Sequence, residues 1–180
     1  MAKFETYEKK LQAAEGSGYS NKKTDKGGPT TSGITFTTYQ MFYPDNSFAH
    51  FQQMPYEEWR HIMKNKFWDK CRADEIKNQS VAEIFVDWTI NSGWARIKDV
   101  QKIVGVSQDG IVGPKTITAI NSCNQRALHY LIKKARQLWY HRCVDGGRDV
   151  NPRASILPTN IANFDGWCNR LDRFMYSNSN

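Results

Sequence analysis

The chain is predicted to be mainly α, with a Gly-rich loop or short hairpin near its start and a small C-terminal helical module packed on the rest. Three observations predict this. Apolar residues recur at helical spacing in one segment after another. Strand signal is sparse throughout. Gly, Ser, Thr, Asn and Pro are concentrated in residues 16–35, which read as loop with room for a hairpin. No internal repeat is evident.

Each element has a local reason. Phe4, Tyr7, Leu11 and Ala14 form a helical stripe, and Gly16 and Gly18 stop that helix after Glu15. A short helix is expected over Thr37–Tyr43, broken by Pro44-Asp45-Asn46. Pro55 suits the first turn of a helix reaching about Lys70, with Trp59, Ile62, Met63 and Phe67 inward. Ser80-Val81-Ala82-Glu83 reads as a capping box. The helix it opens runs to about Asn91 and is apolar nearly all round, the mark of a central buried helix. Asp87 and Asn91 are its polar exceptions on one face, either lining a cleft or satisfied internally.

A helix over about Ala95–Val104 leads to an Asp109-Gly110 turn, and Pro114 suits the next helix start. A long helix is expected over about Asn124–Val144. Leu128, Leu131, Ile132, Ala135, Leu138 and Trp139 lie on one side of it, with Lys133, Lys134, Gln137 and Arg142 on the other. Residues 145–160 read as loop, and a last helix spans about Asn163–Tyr176 with Trp167, Leu171 and Phe174 inward.

At 180 residues, 39% hydrophobic and 24% charged, the chain is globular: one domain, or two small lobes sharing a core. A net charge of +7 suits a polyanionic partner, either nucleic acid or a bacterial wall polymer, against the alternative of an ordinary solvated surface. No nucleic-acid recognition motif accompanies the charge, so no nucleic-acid partner is expected. Cys71, Cys123, Cys143 and Cys168 lack zinc spacing and are expected as free thiols; no metal or other cofactor is expected. The N-terminal residues show no signal-peptide core, and no apolar run approaches the roughly 18 residues of a membrane span. Synthesis in the cytoplasm, without membrane insertion, is expected.

Glu15 is the odd residue. It sits at a helix C-terminus, where the dipole opposes a carboxylate, and beside an apolar stripe that partly desolvates it. Both effects favour the protonated form, which suits a general acid. The loop after it carries Asp25 and Thr30. The alternatives are an exposed terminal Glu, an Asx turn at Asp25 before Gly27-Gly28, and a loop hydrogen bond at Thr30.

The run Glu15-Gly16, Gly18-Tyr19-Ser20-Asn21, Asp25-Lys26-Gly27-Gly28-Pro29-Thr30 and Gly33-Ile34-Thr35 resembles the opening motif of glycoside hydrolase family 108. Phe67-Trp68-Asp69, Ala73-Asp74 and Phe85 to Gly93 resemble that family's later segments. Val100-Gln101 through Asp109-Gly110-Ile111-Val112-Gly113-Pro114-Lys115-Thr116 resembles the predicted peptidoglycan-binding module that follows in such proteins, and Gly166-Trp167-Cys168-Asn169-Arg170 its closing motif. Ser17 looks like a one-residue insertion in the family's spacing.

The resemblance covers roughly residues 5–176 and implies a lysozyme-like fold. It implies a catalytic region over 1–94 and a wall-binding helical module over 95–180, sharing one core. It implies an N-acetylmuramidase of lysozyme type acting on bacterial peptidoglycan. Glu15 would be the general acid, with Asp25 and Thr30 positioning or activating water. By position, Tyr19, Asn91 and Trp94 are candidates for binding substrate in a cleft, with packing the alternative for each. By analogy with lysozyme-like enzymes of Glu–Asp–Thr order, inversion is expected. A monomer is expected, acting on the wall in the periplasm or outside the cell, with a holin or secretion system for export. The alternative is a catalytically inactive wall-binding or secretion-regulating protein.

Overall fold

The computed structural model describes residues 1–16, 18–21, 28–146 and 158–178. Contacts group the chain into two compact units: Lys3–Cys71, and Arg72–Asn180 joined by Met1–Ala2.

In the first unit α1 (Phe4–Glu15) buries Phe4, Tyr7 and Leu11, the predicted stripe. Phe4 and Tyr7 meet Trp68, their ring centroids 5.7 and 5.9 Å from its own. Glu8, buried on the same side, is held by Arg60 Nε at 2.7 Å and by the Tyr56 hydroxyl at 2.5 Å, so its burial is compensated.

Three two-residue strands follow: β1 (Tyr19–Ser20), β2 (Thr30–Thr31) and β3 (Ile34–Thr35). They pair antiparallel in the order β1-β2-β3, with Thr30 opposite both Ser20 and Thr35, and Thr31 opposite both Tyr19 and Ile34. Thr35 then caps α2 (Phe36–Gln40) by accepting from the Thr38 amide. This helix starts one residue earlier than expected and stops at Gln40, three residues before the expected end at Tyr43. A short α3 (Phe48–Gln52), unforeseen in the sequence, is capped by Ser47.

Next, α4 (Tyr56–Ile62) runs straight into a π-helical stretch, Met63–Asp69. The wider turn corrects one core prediction. Trp68 is fully buried and Phe67 is not, because each π turn holds extra backbone and rotates the inward face by one position.

In the second unit α5 (Gln79–Ser92) is central: every residue from Gln79 to Thr89 is buried. Its predicted capping box is wrong by two residues. The cap is Asn78, whose Oδ1 accepts from the Val81 amide at 3.1 Å. Ser80 Oγ instead accepts from the Ser177 amide, and Glu83 accepts from Gln79. Asp87 is satisfied internally. Arg136 Nη2 lies 2.7 Å from its Oδ2 and Arg170 Nη2 2.5 Å from its Oδ1.

After α5 come α6 (Arg96–Ile103), α7 (Pro114–Ser122), α8 (Gln125–Asp145) and α9 (Pro158–Asp172). The Asp109-Gly110 turn is tied to α6 by Gln101, which donates to Asp109 Oδ1 at 2.7 Å and accepts from the Gly110 amide at 2.9 Å. Pro114 takes the first position of α7, as expected. The last helix starts earlier than predicted, at Pro158, and stops at Asp172, so Phe174 and Tyr176 lie beyond it.

The face of α8 also differs from expectation. Leu128, His129, Ile132, Arg136 and Tyr140 are buried. Leu131 and Leu138, predicted inward, are 49% and 64% exposed. The helix carries two apolar stripes, and only one is covered. Among the described residues no helix is long and apolar enough to cross a membrane.

Candidate active site: a carboxylate seated on a hairpin

Glu15 is the last residue of α1 and is half-buried; Gly16 leaves the helix with φ of 72°. Its side chain lies against the β2–β3 hairpin. The two residues of that turn, Ser32 and Gly33, have φ of 47° and 78°, the positive values required of both central residues in a type I′ turn. At Gly33 a side chain has no room. A Cβ built there would fall 2.1 Å from Glu15 Oε2 and 2.9 Å from Cδ. The carboxyl group therefore rests on the bare α-carbon of Gly33, which brings together two residues 18 apart in sequence.

The hairpin is braced on three sides. The Ser32 amide donates to the Gly18 carbonyl at 2.9 Å, and Trp59 Nε1 donates to the Ser32 carbonyl at 3.0 Å. The Phe36 amide donates to the Pro29 carbonyl at 3.0 Å. These bonds satisfy backbone groups that a short irregular sheet leaves open, and they fix the turn on which Glu15 sits.

Thr30, on β2, is half-buried and shares a sheet face with Ser20 and Thr35, its cross-strand partners. Tyr19, on β1, is 38% exposed and stands edge-on to Phe48 at 6.1 Å. Glu15 of α1, Tyr19 of β1 and Thr30 of β2 thus belong to one unit. Asp25 and Ser17 lie outside the described residues.

Asn91 and Trp94 belong to the second unit. Asn91 is exposed near the C-terminal end of α5, and its Oδ1 accepts from the Tyr140 hydroxyl at 3.1 Å. That hydroxyl accepts from Arg136 Nε at 2.6 Å, and Arg136 pairs with Asp87. Asn91 is therefore oriented by a relay that starts at a buried ion pair. Burial, the leading cause, raises the Tyr140 pKa, and the neighbouring Arg136 opposes it. Trp94 is half-buried in the turn between α5 and α6, where its carbonyl accepts from the Ile97 amide.

Sequence reasoning missed three contributors. Gly33 was legible only as a turn residue. Trp59 was assigned to the core, yet its indole nitrogen also braces the hairpin. Thr31, 3% exposed, has a buried hydroxyl with no hydrogen-bond partner among the described residues, an uncommon state. The Thr-Ser-Gly-Ile pattern of a two-residue hairpin was the available signal for Gly33.

The chain is similar to known proteins over most of its length. The family model described as Glycosyl hydrolase 108 matches residues 9–93, and that described as Predicted Peptidoglycan domain matches residues 95–172. A solved structure, that of Brucella abortus SagA, is similar at 27% identity with a TM-score of 0.77, over 96% of this chain and 92% of that one. The mainly α, lysozyme-like fold is common to both. No curated protein matches the chain. Residues 9–93 thus match the glycosyl hydrolase 108 family model, and residues 95–172 match that of a predicted peptidoglycan domain.

Proposed function

We propose that this glycosidase is an N-acetylmuramidase that cleaves the glycan backbone of peptidoglycan, with Glu15 as the general acid. The observation that carries the reading is the seat of the Glu15 carboxyl on Gly33. A carboxyl half-buried at the negative end of a helix, with a fixed position on a braced turn, has what a proton donor needs: a reason to hold its proton and a defined place from which to deliver it.

In the proposed reaction Glu15 protonates the glycosidic oxygen as the C–O bond breaks and an oxocarbenium-like centre develops. Water attacks that centre from the opposite face and loses its proton to a base. Asp25 is assigned that base, and the Thr30 hydroxyl holds the water. This single displacement inverts the anomeric centre and needs the Glu15 and Asp25 carboxyls roughly 6.5–9.5 Å apart; a spacing of about 5–5.5 Å would instead make Asp25 a nucleophile and give retention. Tyr19 on the hairpin is assigned to the glycan; Asn91 and Trp94, on the second unit, are separate candidates for substrate contact. The substrate places the site of action at the cell wall.

Digestion of purified sacculi, followed by borohydride reduction and mass spectrometry of the soluble products, tests the reading. Release of muropeptides with reduced muramic acid ends is expected. Reduced glucosamine ends would reassign the bond. Retention on the wall without any release would favour the inactive wall-binding alternative.

A further inference from the structure

The second unit has a groove of about 800 Å³ that the proposed chemistry does not use. It lies within the roughly 300–1,000 Å³ range of ligand clefts. Its apolar side is the uncovered stripe of α8: Leu131, Ala135 and Leu138, at i, i+4 and i+7. Trp88 of α5 and Trp139 of α8 complete that side. Two exposed leucines beside two indoles are an incomplete surface, and the charge around them indicates what completes it.

The groove is lined by Arg96, Lys102, Lys134 and Arg142 against Asp99 and Asp145. Asp99 is already held by Arg96, at 3.0 Å. Lys102 has no ion-pair partner among the described residues. The net charge is positive, and it stands over an apolar floor. A sugar would need an open aromatic face, yet the Arg96 guanidinium covers a face of Trp139 at 3.6 Å and approaches Trp88 at 5.7 Å. The N-acetylated glycan is neutral and gains nothing from the Lys102 and Lys134 ammonium groups. A short peptide with small aliphatic side chains and several free carboxylates matches both the floor and the rim.

We infer that this groove binds the stem peptide of peptidoglycan, its alanine methyl groups on the Leu131–Leu138 stripe and its carboxylates on Lys102 and Lys134. The inference rests on peptidoglycan being the substrate. It assigns the recognition of peptide to the second unit, while the Glu15 hairpin acts on glycan.

Titration of the full chain with free L-alanyl-γ-D-glutamyl-diaminopimelyl-D-alanine, followed by calorimetry, tests this directly. Binding is expected, and it should weaken with added salt. Lys102→Glu with Lys134→Glu should weaken it by about tenfold or more, and so should Leu138→Asp. All three side chains are exposed, so the thermal midpoint serves to confirm that each variant folds. In parallel, the chain should be retained on intact insoluble wall and less on wall stripped of peptides by an amidase.

Three results would each overturn the inference: no tetrapeptide binding, equal binding by the variants, or equal retention on stripped glycan. A dimer in sedimentation that the variants dissolve would also overturn it, since a second copy would then be the occupant. Muropeptide release separates the two readings. Release without tetrapeptide binding removes the groove assignment alone. Tetrapeptide binding without release removes the proposed reaction alone.

Discussion

Replacing Gly33 with alanine separates the seat of Glu15 from ordinary backbone strain. Gly33 has φ of 78°, where an L-residue costs about 1–2 kcal/mol. Its new methyl group would lie 2.1 Å from Glu15 Oε2. Normal contact needs over about 3 Å, so the carboxyl must retreat by roughly 1 Å, a misplacement of the size that costs about 100-fold in rate. Gly105→Ala is the control. It has φ of 74° and open space around the built Cβ, so it carries the strain and no clash. Both variants should lose about 1–2 kcal/mol, lowering the thermal midpoint by roughly 2–8 °C for a chain of this size. Only Gly33→Ala should lose about 100-fold in turbidity-clearing rate on purified wall. If both variants retain the same activity, the position of Glu15 on the hairpin is irrelevant to the chemistry and the proposed site is wrong.

Other substitutions test separate parts of the account. Trp59→Phe removes the donor to the Ser32 carbonyl and should cost about 1 kcal/mol in thermal melts, with a loss of wall clearing larger than that of an equally destabilised variant in the second unit. Asp87→Asn leaves Arg136 and Arg170 without their shared counter-charge and should destabilise by about 3–5 kcal/mol in urea titration. His129 is buried, and desolvation, with the nearby Lys133 second, pushes its pKa down to about 4. The unfolded chain therefore takes up this proton first as pH falls. The stability from neutral His129 is complete above about pH 6.5 and declines between there and about pH 4, by up to about 3 kcal/mol. His129→Gln should remove that part of the acid dependence; an unchanged pH profile of the melting midpoint would refute it.

What was legible in the sequence followed from local rules. The stripe Phe4, Tyr7, Leu11 needed only helical period, and Glu15 stood out because nothing about helix stability calls for a carboxylate there. What was not legible depended on tertiary choice. Gly33 reads as a turn residue until α1 is laid beside it, and only then does its missing side chain become a seat. The two stripes of α8 have the same period and similar hydrophobicity, so the sequence does not say that Leu128 and Ile132 are covered while Leu131 and Leu138 are left open. Trp68 displaced Phe67 from the core because the π-helical turn changes the register of facing residues. Ser80 and Glu83 fit a capping pattern, but Asn78, two residues earlier, takes the role.

The most direct test of the central claim is muropeptide release from purified sacculi by the wild-type chain and by Glu15→Gln, which keeps the side chain's shape and removes its acid. Loss of a positioned general acid should lower the rate by about 10²–10⁴-fold, with wall retention and thermal midpoint nearly unchanged. Release by Glu15→Gln at the wild-type rate would contradict the assignment of Glu15 as the acid.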